Sequence, residues 1–226
     1  MSSVSVLITG YHPERLKHSE RIANAWLKQP VEQVWYLDNS GGVGKQYVSG
    51  IKDKRFTYWP LPLDFQCKVD YGVASLTEGD WIIFADDDIV PTEGFVEDLL
   101  FWANKTAPSF VGTNGRKATA PIYRKCKWAG AKHVTQPVEV DVVGVIYMAH
   151  RDHCHFDVRG MHPVMDDFHH MLAYLDVKKY VVPTKAFVNL PTCSGPTAMY
   201  SSATRKQQRM EMFEKLYNKH WRTPDE

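Results

Sequence analysis

Short apolar runs separated by amphipathic stretches fill the first half of the chain. Val4–Thr9 is a β-branched run ending at the turn Gly10-Tyr11-His12-Pro13. Residues 14–29 place Leu16, Ile22, Ala23, Trp26 and Leu27 at helical spacing, and Pro30 closes the segment. Val31–Leu37 is a second strand, followed by the loop Asp38-Asn39-Ser40-Gly41-Gly42. Tyr47–Ile51 reads as a short helix, Phe56–Leu61 as a third strand, Gln66–Leu76 as a second main helix and Trp81–Ala85 as a fourth strand. Glu93–Asn104 is helical behind the start signal Pro91-Thr92-Glu93. Phe110–Gly112 and Val138–Met148 are strands, Asp166–Leu175 a helix and Tyr180–Val182 a strand. A loop rich in Pro, Thr, Ser and Gly follows, and Ser202–Trp221 is a charged amphipathic helix. Alternating strands and helices over the first 105 residues predict βαβ units and an α/β fold with a mixed, mainly parallel sheet flanked by helices. In such sheets ligands bind beyond the carboxyl ends of the strands. Thr9-Gly10-Tyr11, Asp38-Asn39 and Asp86-Asp87-Asp88 all follow strands at that edge.

The aspartate triplet carries the most chemistry. Trp81–Ala85 is apolar on both faces, as expected of a central buried strand, and runs directly into Asp86, Asp87 and Asp88. Adjacent carboxylates repel one another and are tolerable with a cation between them. Mg or Mn takes carboxylate oxygens and leaves positions open for phosphate oxygens. A calcium loop of the EF-hand kind is excluded by Val90 and by the missing glycine after it, and a solvated acidic turn is the plain alternative.

Other motifs are weaker. Gly41-Gly42-Val43-Gly44-Lys45 fails the phosphate-loop pattern at Asn39 and Gln46 and reads as a turn. His150-Arg151-Asp152-His153-Cys154-His155 matches no standard zinc spacing. Asp166-Asp167 opens a predicted helix, where carboxylates suit the helix dipole but can also serve as base or stabilise an oxocarbenium-like centre. His169 or His170 is a candidate third metal ligand, with packing or solvent exposure as the plain reading. Arg205, Lys206 and Arg209 on the last helix could clamp a diphosphate if that helix folds back over the sheet edge.

The chain has 226 residues, 44% hydrophobic, with net charge +1, an ordinary globular composition. It is read as one domain in three stretches, 1–105, 106–200 and a C-terminal helix over 201–226. No run approaches a membrane span, and the start lacks the features of a signal peptide, so a soluble cytoplasmic protein is expected. Cys67, Cys126, Cys154 and Cys193 form no CxxC pair and are expected as reduced thiols. Charge is unevenly spread. Leu99–Val138 has no Asp or Glu but seven basic residues, Lys105, Arg116, Lys117, Arg124, Lys125, Lys127 and Lys132. That asymmetry suggests a polyanionic partner, with scattered solvated lysines as the alternative.

These pieces in this order resemble nucleotide-sugar glycosyltransferases of the GT-A fold, with Asp86–Asp88 similar to their DxD motif. More specifically they resemble the exostosin-type hexosyltransferase catalytic domain, in patches spread over nearly the whole chain. The patches are Thr9 to Arg15, Trp35 to Asn39, Phe84 to Asp88, Val111-Gly112 with Arg116-Lys117, Val142 to Tyr147, Met165-Asp166-Asp167, Ser194-Gly195, and Gln208-Arg209 with Lys215-Leu216. The resemblance implies a donor site of Thr9, Tyr11, Arg15, Asp38, Asn39, Lys68, Asp86 and Asp87, with Asp38 or Asn39 on the uracil and Asp86 on the ribose. It implies Mn or Mg on Asp88 and Asp86, Asp167 beside the anomeric carbon with Asp166 as its neighbour, and Arg209 on the departing diphosphate. Retention of configuration is implied, whereas an inverting relative would use Asp166 or Asp167 as base. The family's paired cysteines and membrane anchor are not evident, and 113–135 departs from its pattern. Arg116, Lys117, Arg124 and Trp128 are the acceptor candidates. A hydroxymethylated pyrimidine in DNA fits their charge and aromatics; a saccharide or glycolipid acceptor, or a non-catalytic nucleic-acid-binding module, are the other readings. A sugar nucleotidyltransferase would normally carry a Gly-rich basic loop where Gly10-Tyr11-His12-Pro13 stands.

Overall fold

The computed structural model describes residues 2–10, 12–61, 73–121, 125–155, 166–185, 187–190 and 203–221, without the side chains of 166, 167, 169 and 205. In chain order the elements are β1 (Val4–Gly10), α1 (Pro13–Leu16), α2 (Ser19–Leu27), β2 (Gln33–Asp38), α3 (Lys45–Val48) and β3 (Phe56–Pro60). There follow β4 (Trp81–Asp86), β5 (Ile89–Pro91), α4 (Phe95–Thr106), β6 (Ser109–Lys117), β7 (Lys127–Gly130), β8 (Val138–Val140) and β9 (Val142–His150). The last are α5 (Asp166–Ala173), β10 (Lys178–Val181), β11 (Phe187–Asn189) and α6 (Ala203–His220).

The central sheet runs β3-β2-β1-β4-β9-β6-β10-β8, with β7 paired to β6. The block β3-β2-β1-β4 is wholly parallel. Strand β9 is antiparallel between β4 and β6, and β10 is parallel to β6. Six strands among the described residues (β1 to β4, β6 and β10) therefore point one way, as the alternating pattern predicts. Alternation of side chains builds a core on each face. Leu7, Leu37, Ile82, Phe84 and Tyr147 pack on one side with Phe168 and Met171 of α5 and Phe213 and Tyr217 of α6. Val6, Ile8, Tyr36, Ile83 and Ala85 pack on the other with Ile22 and Trp26 of α2 and Phe95 and Leu99 of α4. Helices thus cover both faces of a buried sheet.

Several boundaries differ from the sequence reading. The helix expected over residues 14–29 breaks at His18, and the Ser19 hydroxyl lies 2.7 Å from the Leu16 carbonyl, closing the first short helix. The strand expected over Val138–Met148 divides at Asp141, whose carboxylate accepts from Lys117 Nζ at 3.0 Å and from the Ala118 amide at 2.6 Å. The acidic turn does not lead straight into a helix. Ile89–Pro91 first pairs with Phe187–Asn189 in a separate two-stranded sheet, an edge position that a proline tolerates. Of the segment Gln66–Leu76, residues 73–76 lie among the described residues, with Ala74–Leu76 a 3₁₀ turn. Cys126 and Cys154 are buried free thiols, while Cys67 and Cys193 lie outside the described residues.

Lys179 is 5% exposed. Its ammonium donates to the carbonyls of Tyr174 (2.5 Å) and Leu175 (3.3 Å), behind the end of α5. Burial pushes it down to about 8, against the opposing pull of Asp141 and Asp176. Its folded pKa is thus below the unfolded one. Between pH 8 and about 10 the unfolded chain holds a proton that the folded chain has lost, so stability rises with pH in that window. Chemical denaturation across it will show wild type gaining stability relative to Lys179→Met, and parallel curves would exclude this titration.

Candidate active site

The strand order creates a switch point. The chain moves from β1 outward to β2 and β3, then returns to the other side of β1 as β4. The loops leaving β1 and β4 therefore part in opposite directions and open a crevice at their carboxyl ends. Thr9 and Asp86 are register partners at that edge, and alternation along both strands puts them on the α5 face beside Leu7 and Phe84. The Thr9 hydroxyl oxygen is buried and has no hydrogen-bond partner among the described residues. A buried hydroxyl left in this way fits a site completed by a ligand.

The expected cation between the aspartates is, in part, supplied by the protein. Asp87 and Asp88 are 3% and 4% exposed. Arg15, carried on α1, bridges them: its Nη2 lies 2.7 Å from Asp87 Oδ1 and also contacts Asp88. Burial lowers the guanidinium's pKa, but Asp87, Asp88 and Asp86 outweigh it and raise the value above the ordinary one. The Leu190 amide donates to the Asp88 carbonyl at 2.8 Å, tying the turn to the strand pair β5–β11. Arg15 thus relieves part of the repulsion within the triplet. Asp86, less buried than its two neighbours at the strand end, is the carboxylate best placed for a ligand. A diphosphate-bound divalent ion needs only one or two protein carboxylates, and Asp86 with the partly committed Asp88 meets that need. No group of three His, Cys, Asp or Glu residues arranged to hold a metal occurs among the described residues.

Asp38 has a different local task. Its Oδ1 accepts from the Ser40 amide at 2.9 Å and from the Ser40 hydroxyl, and its Oδ2 from the Gly44 amide at 2.7 Å and the Tyr58 hydroxyl at 2.5 Å. Two bonds on each oxygen fill a carboxylate's capacity. Asp38 therefore shapes the loop 39–44, and a bond from it to a base would displace one of these. Burial, and then the bond to Asp38, push the Tyr58 phenol well up. The Asn39 amide donates to the Gly10 carbonyl at 2.7 Å, joining the ends of β2 and β1.

Gly10 is required by close approach. A Cβ there would lie 2.3 Å from Tyr36 Oη. Gly10→Ala will destabilise the fold by about 1–3 kcal/mol, and Gly10→Ala with Tyr36→Phe will recover part of the loss. Urea denaturation of the two variants checks this, and a neutral single variant would contradict it.

Strand registers locate the remaining candidates. The end of α5 lies at the opposite edge: Tyr174 Oη donates to the His155 carbonyl, and His155 follows β9, whose His150 pairs with Trp81 at the start of β4. Helix α5 therefore begins at the carboxyl edge, which brings the backbone of Asp166 and Asp167 to the side of the aspartate triplet. The Arg209 guanidinium lies 5.6 Å from the ring of Phe168, next in sequence to Asp167, so α6 packs against α5. His170, the candidate metal ligand, is instead a core residue. Its Nε2 donates to the His153 carbonyl at 2.7 Å, so its Nδ1 accepts from Tyr147 Oη at 2.8 Å, and Phe84 and Phe110 flank the ring.

Of the acceptor candidates, Trp128 is 52% exposed on β7, edge-on to His133. Arg116 turns inward, donating to the Cys126 carbonyl at 3.3 Å. Lys117 is offset by Asp141 at 3.0 Å and Glu139 at 3.8 Å. The acid-free stretch is therefore partly neutralised by acids that lie just beyond it in sequence. Tyr11, Lys68 and Arg124 lie outside the described residues. The sequence reading missed the Arg15 bridge. Its spacing after the first strand was visible, but the pairing depends on how α1 turns back over the β4 turn.

Comparison with solved structures gives the class. TarS from S. aureus, residues 1–349 in complex with UDP-GlcNAc, superposes with TM-score 0.60 at 14% identity, over 82% of this chain and 57% of that one. TarS from S. aureus in a second structure gives 0.63 at 12% identity, over 93% of this chain and 39% of that one. The chain thus spans well under two thirds of these two neighbours. A CMP:2-keto-3-deoxy-manno-octonic acid synthetase complexed with CTP gives 0.54 at 14% identity, over 93% of this chain and 100% of that one. At such identities the likeness defines the fold, and the fold is of the GT-A, nucleotide-sugar-transferase kind. No protein-family model matches the chain, and no curated protein does. The exostosin resemblance is not among these likenesses. No helix among the described residues is long and apolar enough to cross a membrane.

Proposed function

We propose that the chain is a glycosyltransferase that moves a hexose from a UDP-sugar to an acceptor hydroxyl. The observation that carries this is the β1/β4 crevice, with Thr9, Arg15 and the aspartate triplet gathered at its mouth. The donor lies across it, base toward Asn39 and the Asp38 loop, ribose and diphosphate by Asp86, sugar toward α5. The acceptor oxygen forms the new bond to the anomeric carbon as the bond to the diphosphate oxygen breaks; UDP leaves with that electron pair, and the hydroxyl proton passes to a departing diphosphate oxygen. Negative charge grows on the leaving group, and Arg209 and Arg15 are the nearby cations that stabilise it. Asp86 and Asp88 would hold a Mn or Mg ion, which supplies further charge neutralisation when bound. Asp167, or Asp166, stands beside the anomeric carbon, and retention of configuration is the favoured course. Residues 1–105 serve the donor and 106–200 the acceptor.

The acceptor we favour is a hydroxymethylated pyrimidine in DNA, presented to exposed Trp128 and Lys127 of β7; a saccharide or glycolipid is the alternative outcome. A nucleotidyltransferase shares the fold, as the CTP-bound neighbour illustrates, but the basic Gly-rich loop expected after its first strand is replaced here by Gly10-Tyr11-His12-Pro13. Incubation with a panel of UDP-sugars, with release of UDP as readout, tests the proposal. Turnover of one or more supports it. Release of pyrophosphate from CTP with a sugar acid, and none of UDP, would replace it with the synthetase reading.

A further inference from the structure

Among the described residues, Val145 is the one non-glycine with a positive φ, +68°. A β-branched residue strongly disfavours that conformation. The strain falls in a β-bulge. Gly112 pairs with Tyr147 and Asn114 with Gly144, so Val145 and Ile146 together oppose Thr113. A left-handed first residue in such a bulge is ordinarily glycine. The partner strand accommodates the bulge with glycines of its own. A Cβ on Gly112 would sit 2.9 Å from Val143 Cβ, and one on Gly115 would sit 2.7 Å from the Val142 carbonyl oxygen.

The location gives the strain a meaning. The β4–β9 ladder ends at Ala85 and Ile146, so Val145 lies one step beyond it, level with Asp86. Where glycine would hold the bulge at less cost, valine adds only a side chain. That side chain packs against the large apolar cluster on the α2–α4 face, to which Ile89, next after Asp88, and Leu190, whose amide binds the Asp88 carbonyl, also belong. Bulges beside functional sites terminate pairing and re-aim neighbouring groups.

We propose that Val145 is a positioning residue for the donor site. Its bulge ends the ladder where Asp86 leaves the sheet, and its side chain braces the turn that carries Asp86, Asp87 and Asp88. The inference rests on the UDP-sugar reading of that site. Val145→Gly removes the brace and relieves the strain, so the melting temperature stays close to wild type while KM for the UDP-sugar rises about tenfold. Val145→Thr, of the same shape, keeps the wild-type KM. Steady-state kinetics and thermal melts on the three proteins decide the matter. A wild-type KM in Val145→Gly, whatever its melting temperature, overturns the inference while leaving the glycosyltransferase reading intact. A wild type that neither binds nor turns over UDP-sugars overturns both.

Discussion

Asp86→Ala will lower UDP-sugar turnover by roughly 10³-fold, the scale on which loss of a charge-organising group at a developing anion is felt. Asp86 stands at the end of a buried strand, beside the Thr9 hydroxyl, with its side chain less buried than those of Asp87 and Asp88. Activity will fall further than stability. Asp88→Asn will also abolish turnover, for a mixed reason. Asp88 is buried against Arg15, and the amide weakens that pair as well as any hold on the diphosphate. The two variants thus separate chemistry from architecture. Steady-state UDP release, with urea denaturation on the same preparations, checks both. Asp86→Ala with full turnover would remove the triplet from the active site.

Arg15→Met will destabilise the protein by about 3–5 kcal/mol, because it removes a counter-charge from the buried Asp87 and Asp88. The loss exceeds what an exposed ion pair would give, since surface pairs contribute about 0–1 kcal/mol. Arg15→Met with Asp88→Asn will recover part of it, and the double-mutant cycle reports a coupling of about 0.5–3 kcal/mol, as for groups in direct contact. Additive losses would mean that Arg15 and Asp88 act separately. Donor affinity will fall in Arg15→Met too, because Arg15 then no longer ties the turn that carries Asp86 to α1.

Much of the sheet was legible because its strands follow simple alternation or continuous apolar runs. Val4–Thr9, Val31–Leu37 and Trp81–Ala85 lie within or across β1, β2 and β4, and the carboxyl-edge residues followed from them. What escaped were features set by tertiary pairing. Lys127–Gly130 lacks a strand pattern and pairs because Asn114–Lys117 offers an edge. Pro91-Thr92-Glu93 was read as a helix start, and the strand Ile89–Pro91 was missed because its partner, Phe187–Asn189, is almost a hundred residues away. The aspartate triplet was found from its own chemistry, but its counter-charge was expected from a metal. Arg15 supplies part of it, and a long-range ion pair leaves no periodic signal. For His170 the sequence left packing, solvent exposure and metal ligation open, and the structure packs it, with a Tyr147 partner that the sequence does not show. The bulge at Val145 was hidden for the same reason: a valine in a strand pattern carries no mark of left-handed backbone.

The most direct test of the central claim is a crystal structure of the protein soaked with UDP and manganese. The account predicts the diphosphate at the β1/β4 edge, within hydrogen-bonding or metal-bridged reach of Asp86 and the Thr9 hydroxyl. UDP bound elsewhere, with that crevice holding only solvent, would contradict it.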